Sequence, residues 1–121
     1  MIQGSVYDAF AEQLAKHVAA FKTGNGLEEG VNIGPLINPA AISKVEELVE
    51  DAINKGAKAV LGGKRTKNVG AQFCEPTILT KVTEDMGIFS NEIFGLVAPL
   101  FRFKTEEVIA MVNDTPFGLA S

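Results

Sequence analysis

With 121 residues, 46% of them apolar, the chain has material for one modest hydrophobic core. The expectation is therefore a single unit over residues 1–121 rather than two domains. Its formal charge of −4 is scattered along the chain and offers no basic patch for nucleic acid.

No apolar run approaches the roughly 20 residues that span a bilayer, and Met1-Ile2-Gln3-Gly4-Ser5 lacks the basic and apolar regions of a signal peptide. A soluble, cytosolic setting is expected, with neither nucleic acid nor membrane as partner. The single cysteine, Cys74, leaves no internal disulfide and no companion thiolate for a metal site, which fits a reducing compartment.

In chain order, Ser5 and Asp8 have the spacing of a capping box. Val6, Phe10, Leu14, Val18 and Phe21 then lay an apolar stripe along a helix from Val6 to about Phe21. Gly24, Asn25, Gly26 and Gly30 suit a loop up to Gly34-Pro35. Asn38 before Pro39 pairs a favoured N-cap with a favoured first helical residue. Ile42, Val45, Leu48, Val49, Ala52 and Ile53 form the apolar face of this second helix, and Gly56 ends it.

Ala57 to Leu61, bounded by Gly62-Gly63, reads as a short buried strand, and a polar loop follows to about Gly70. Phe73 to Leu79 is weakly strand-like. Val97 to Phe103 is apolar at both parities and reads as a strand buried on both faces. Thr105 can cap an acidic first turn, Glu106-Glu107, with Val108, Ile109, Met111 and Val112 in a short helix before Asn113-Asp114-Thr115-Pro116. Strands alternating with helices give the fold class as α/β, with helices packed on a small, mostly parallel sheet. The start just ahead of a helix and the apolar end Phe117-Gly118-Leu119-Ala120-Ser121 suggest a piece of something larger. Its uncovered sheet edge and apolar face would then favour self-association or a complementing segment as partner.

Four local strings carry more than periodicity does. Gly24 to Ile37 (GNGLEEGVNIGPLI), Phe73 to Leu79 (FCEPTIL), Asn91 to Val97 (NEIFGLV) and Asn113 to Ala120 (NDTPFGLA) resemble, in the same order, four stretches of the aldehyde dehydrogenase family. The finer strings GPLIN at Gly34 to Asn38 and APLFRF at Ala98 to Phe103 resemble its succinate-semialdehyde branch. The fold this implies is a partial aldehyde dehydrogenase catalytic domain.

The activity implied by the resemblance is NAD(P)-dependent oxidation of an aldehyde, in this branch succinate semialdehyde, to the carboxylic acid. In such enzymes a cysteine thiolate attacks the carbonyl, amide donors hold the oxyanion, hydride leaves to nicotinamide and a glutamate activates water. In the family the nucleophile lies upstream of the segment matching Ile2 to Phe10. The general base, the cofactor domain and the arginine for the substrate carboxylate are upstream as well. No catalytic residue is therefore expected within the 121 residues, and NAD or NADP is expected to bind only in a complete enzyme, not to this chain alone.

Two residues match cofactor-contacting positions of the family. Glu92 matches the glutamate that accepts hydrogen bonds from the nicotinamide ribose hydroxyls, and Phe94 the aromatic residue packed near the nicotinamide. Asn91 stands where the family commonly has glutamate, and Leu96 where it commonly has proline. Cys74, ahead of Glu75-Pro76-Thr77, occupies a position where relatives carry an aromatic residue, and it reads as a small apolar core residue rather than a nucleophile. His17, with no second ligand at i+4, reads as a solvated histidine, so no metal site is expected. The rival reading is a truncated, non-catalytic α/β module acting through partner or self association.

Overall fold

The structure, a computed structural model, describes residues 1–66 and 70–114. The expected turn and apolar end beyond Asp114 therefore lie outside the described residues. A four-stranded sheet has the order β1 (Ile2–Gln3), β6 (Val97–Phe103), β5 (Thr77–Val82), β4 (Lys58–Leu61). The β1–β6 and β6–β5 pairs are parallel, and β4 runs antiparallel to β5. One helix covers each face: α1 (Tyr7–Ala19) and α2 (Pro39–Asn54).

The period of two along β5 divides the core. Ile78 turns toward α1 with Tyr7, Ala11 and Leu100, whereas Leu79 turns toward α2 with Val45, Val49, Ala52, Met86 and Ile88. Both Ile78 and Leu79 are 0% exposed. Because the helices centre on β5, β6 is only half-covered. Leu100 is buried and Arg102 reaches solvent, which corrects the expectation of a strand buried on both faces. The strand expected at Phe73 to Leu79 begins later, at Thr77. The residues before it pair instead with the chain at 64–66, through Glu75 N–H to the Lys64 carbonyl and Thr66 N–H to the Phe73 carbonyl.

For α2, sequence and structure agree closely. Asn38 accepts a hydrogen bond from Ala41 N–H at 2.8 Å, Pro39 opens the helix, and Ile42, Val45, Leu48, Val49 and Ala52 are buried. Ile53, expected on the apolar face, is half-exposed.

Helix α1 forms where expected but presents a different face. Tyr7 and Ala11 are buried and Leu14, Ala15 and Val18 pack around them, while Val6, Phe10 and Phe21 are about half-exposed. Small Ala11 and Ala15 admit the sheet closely. No side chain caps α1, and Asp8 instead pairs with Arg102 at 2.8 Å.

Thr105 likewise does not cap α4 (Val108–Asn113). Its hydroxyl accepts from Gln3 Nε2 at 3.2 Å, while the Glu107 carboxylate takes the Lys104 N–H at 2.8 Å. The glycine-bearing segment expected to be pure loop closes into a parallel pair of very short strands, β2 (Lys22–Thr23) and β3 (Val31–Ile33), with Ile33 buried.

Tyr7 ties three elements together. Its hydroxyl donates to the Leu100 carbonyl at 2.7 Å and accepts from Lys81 N–H at 3.0 Å. Lys81 has φ 56°, a left-handed conformation costing on the order of 1 kcal/mol in a non-glycine residue. It marks the register shift between β5 and β6. The Arg102 guanidinium lies over the Tyr7 ring, 4.3 Å from its centre, in a cation–π contact. Tyr7→Phe should lower stability by about 1–3 kcal/mol, because it removes the acceptor for the Lys81 amide and a donor to the Leu100 carbonyl. Urea unfolding should show a lower midpoint at unchanged slope, and an unshifted midpoint would refute the bridging role.

Candidate cofactor-contacting site

Glu92 and Phe94 lie on the connection between α3 (Gly87–Ser90) and β6. Both are exposed, Phe94 to 75%, whereas Ile93 between them packs against the α2 side of the core. This alternation anchors the loop through Ile93 and turns its two neighbours outward. Among the described residues Glu92 has no hydrogen-bond or ion-pair partner, so both carboxylate oxygens are open to accept from a ligand.

The two ends of the loop are fixed by different means. At the far end Gly95 comes so close to α2 that a Cβ there would lie 2.4 Å from Val45 Cγ2. Any side chain would push loop and helix apart. The next residue, Leu96, lends its carbonyl to Thr77 N–H at 2.8 Å, which registers the loop against β5. Leu96, in place of the family's usual proline, is therefore held by a backbone bond.

At the near end, Asn91 Nδ2 donates to the Gly87 carbonyl at 2.8 Å, and Asn91 N–H donates to the same oxygen. Asn91, in place of the usual glutamate, thus closes α3 on itself. Buried Ile88 and the edge-to-face contact of Phe89 with Phe101, 5.2 Å between ring centres, seat α3 on the sheet.

Sequence reasoning missed Asp51 on α2. One of its carboxylate oxygens accepts from Gly87 N–H at 2.8 Å, capping α3 from another element, and Lys55 pairs with the other at 2.8 Å. The Lys55 ammonium, and then the Gly87 amide, hold the Asp51 carboxyl below the usual aspartate range. A cap placed 36 positions away in sequence leaves no spacing signal.

The residues set aside on sequence grounds stay apart from this loop. Cys74 is buried, and burial pushes its thiol up, with the nearby Glu46 carboxylate adding to the effect and Arg65 opposing it. A raised thiol is a poor nucleophile at neutral pH. Glu46 itself is engaged by Arg65, whose second contact, Nη2 to Oε2, measures 2.6 Å. His17 is exposed, with Nδ1 placed 2.8 Å from the Gln13 carbonyl. Among the described residues no group of three or more His, Cys, Asp or Glu is placed to hold a metal ion. None of the helices described is long and apolar enough to cross a membrane.

The described residues thus form a mostly parallel α/β unit that carries an outward carboxylate and an outward aromatic ring on a doubly pinned loop. The chain belongs to the aldehyde dehydrogenase family, which matches residues 1–121. It is 57% identical over 121 residues to the glutarate-semialdehyde dehydrogenase of Pseudomonas putida, covering 99% of this chain and 25% of that protein. To the NADP(+) succinate-semialdehyde dehydrogenase of Escherichia coli it is 50% identical, again over 99% of this chain and 25% of the relative. The crystal structure of succinate-semialdehyde dehydrogenase from Burkholderia pseudomallei superposes with a TM-score of 0.93 at 50% identity, over 96% of this chain and 24% of that one. The chain thus spans about a quarter of the length of the relatives it matches.

Gly95→Ala should destabilise the protein by about 1–3 kcal/mol by overpacking Val45. Val45→Ala in the same chain should recover part of that loss, although alone it opens a cavity. Thermal melts of the two single variants and the double variant measure the coupling. Strict additivity would show that the two residues do not press on one another.

Proposed function

We propose that these 121 residues form one unit within the catalytic domain of an NAD(P)-dependent dehydrogenase that oxidises a semialdehyde, an aldehyde whose far end carries a carboxylate, to the dicarboxylic acid. The observation that carries this is the identity, 57% and 50% over essentially the whole chain, to enzymes named for glutarate and succinate semialdehyde. These two substrates differ by one methylene, so the shared chemistry is a short chain with an aldehyde at one end and a carboxylate at the other.

In this reading the bound dinucleotide takes the hydride. Glu92 accepts hydrogen bonds from the hydroxyls of the nicotinamide ribose, and its open carboxylate oxygens fit that task. Phe94 lies near the nicotinamide and keeps water from that side. Both roles orient the cofactor without supplying chemistry. The only cysteine of the 121 residues is Cys74, and its burial and raised thiol support a packing role. The nucleophile, the base and the dinucleotide's other anchors belong to the rest of such an enzyme.

Alone, the chain should neither turn over substrate nor bind NAD or NADP. One carboxylate accepting two hydrogen bonds offers on the order of 1–2 kcal/mol, against the roughly 4 kcal/mol that millimolar affinity requires. Self-association, or capture by a complementing segment, belongs to the same proposal. Exposed Leu27, Ile37, Phe94 and Ile109 supply apolar surface for it. A cytosolic setting is also part of it, in keeping with a lone reduced cysteine.

The test is a hybrid in which residues 1–121 replace the matching quarter of the Pseudomonas putida relative. It should oxidise glutarate or succinate semialdehyde with NAD or NADP. Glu92→Gln should slow single-turnover hydride transfer by about tenfold while dinucleotide affinity changes little. A folded but inert hybrid would overturn the assignment of activity. Unchanged hydride transfer in the Gln variant would overturn the role of Glu92.

A further inference from the structure

The turn that delivers Glu92 is held from α2 by a clamp that the family motifs do not contain. Lys55 Nζ bonds the Asp51 carboxylate at 2.8 Å and the Asp85 carbonyl at 2.9 Å, while Asp51 takes the Gly87 N–H at 2.8 Å. The peptide Asp85-Met86-Gly87 is therefore gripped at both ends by one ion pair. Gly87 is also the residue whose carbonyl receives both Asn91 donors. An unbroken series of hydrogen bonds runs from Asp51 through Gly87 to the residue before Glu92. We propose that Asp51, fixed by Lys55, is a positioning residue for Glu92: it sets the orientation of the Gly87–Ser90 turn and so the direction in which the Glu92 carboxylate leaves it. This inference rests on the reading of Glu92 as the ribose acceptor.

The apolar contacts of this turn leave that task open. Ile88 and Phe89 fix where α3 sits, but apolar packing is non-directional and tolerates a small rotation of a four-residue helix. A charge-assisted bond to a backbone amide is directional and removes that freedom. An exposed ion pair ordinarily contributes little to stability. Here the carboxylate also holds a backbone donor of another element, so its effect lies in geometry. Val45, two turns earlier on α2, meets Gly95 at the other end of the loop. A single helix therefore fixes both ends of the segment that carries Glu92 and Phe94.

Two measurements on the hybrid enzyme test this. Without dinucleotide, Asp51→Ala and Lys55→Met should each speed amide exchange at Gly87 and Asn91, the two amides bonded in this series, by about tenfold while the amides of α2 and β5 keep their protection. With dinucleotide bound, Asp51→Ala should slow hydride transfer by about tenfold at nearly unchanged affinity, and D51A/E92Q should be no slower than E92Q alone. Wild-type exchange at Gly87 and Asn91, or a slowing that adds in full to that of E92Q, would overturn the inference. Should D51A fail to fold, K55M at its partly exposed position decides by the same criteria. If E92Q alone transfers hydride at the wild-type rate, the ribose reading of Glu92 fails and this inference falls with it. If E92Q is slow and D51A is not, only the positioning role fails.

Discussion

Everything in this structure leans on the burial of β5 between two helices. Ile78 and Leu79 are adjacent in sequence and point in opposite directions, each into a core that excludes water. A strand sealed on both faces cannot slip by one residue without turning each side chain into the wrong core. That fixed register decides where its neighbours go. On one face the Tyr7 hydroxyl spans β5 and β6 at the left-handed Lys81. On the other, α2 is set against Leu79 and Val82, and it then meets the segment that enters β6.

The geometry of the candidate loop is a by-product of that packing. Gly95 is needed for close approach rather than for an unusual φ, since the space a Cβ would take is filled by Val45. With Leu96 tied to Thr77 and Ile93 packed inward, Glu92 and Phe94 have few directions left but outward. Order in such a loop matters chemically. A carboxylate that accepts from two ribose hydroxyls helps only if it is already in place when the cofactor arrives.

The sequence showed most clearly what depends on local chemistry. Asn38-Pro39 announced α2, its apolar spacing named the buried face, and the run Val97 to Phe103 marked β6. What it hid was long-range. Ser5 and Asp8 have capping spacing, yet Asp8 finds Arg102, 94 residues away. Periodicity assigns Phe10 to the core, but Tyr7 displaces it because a buried hydroxyl with two partners, flanked by small alanines, lets α1 lie closer to the sheet. Strands as short as β1, β2 and β3 carry too few residues for a period. The motif strings singled out Glu92 and Phe94 as candidates, but not Asp51 or Lys55, which meet Gly87 and Asp85 only after folding.

In the proposed reading this segment presents Glu92, already oriented, to the nicotinamide ribose of a complete enzyme. A crystal structure of the hybrid dehydrogenase with NAD or NADP bound tests it most directly. The expected result is a Glu92 carboxylate within about 3 Å of the ribose hydroxyls, with Gly95 still against Val45 and Gly87 N–H still on Asp51. A Glu92 turned away from the ribose, with another residue holding those hydroxyls, would contradict it.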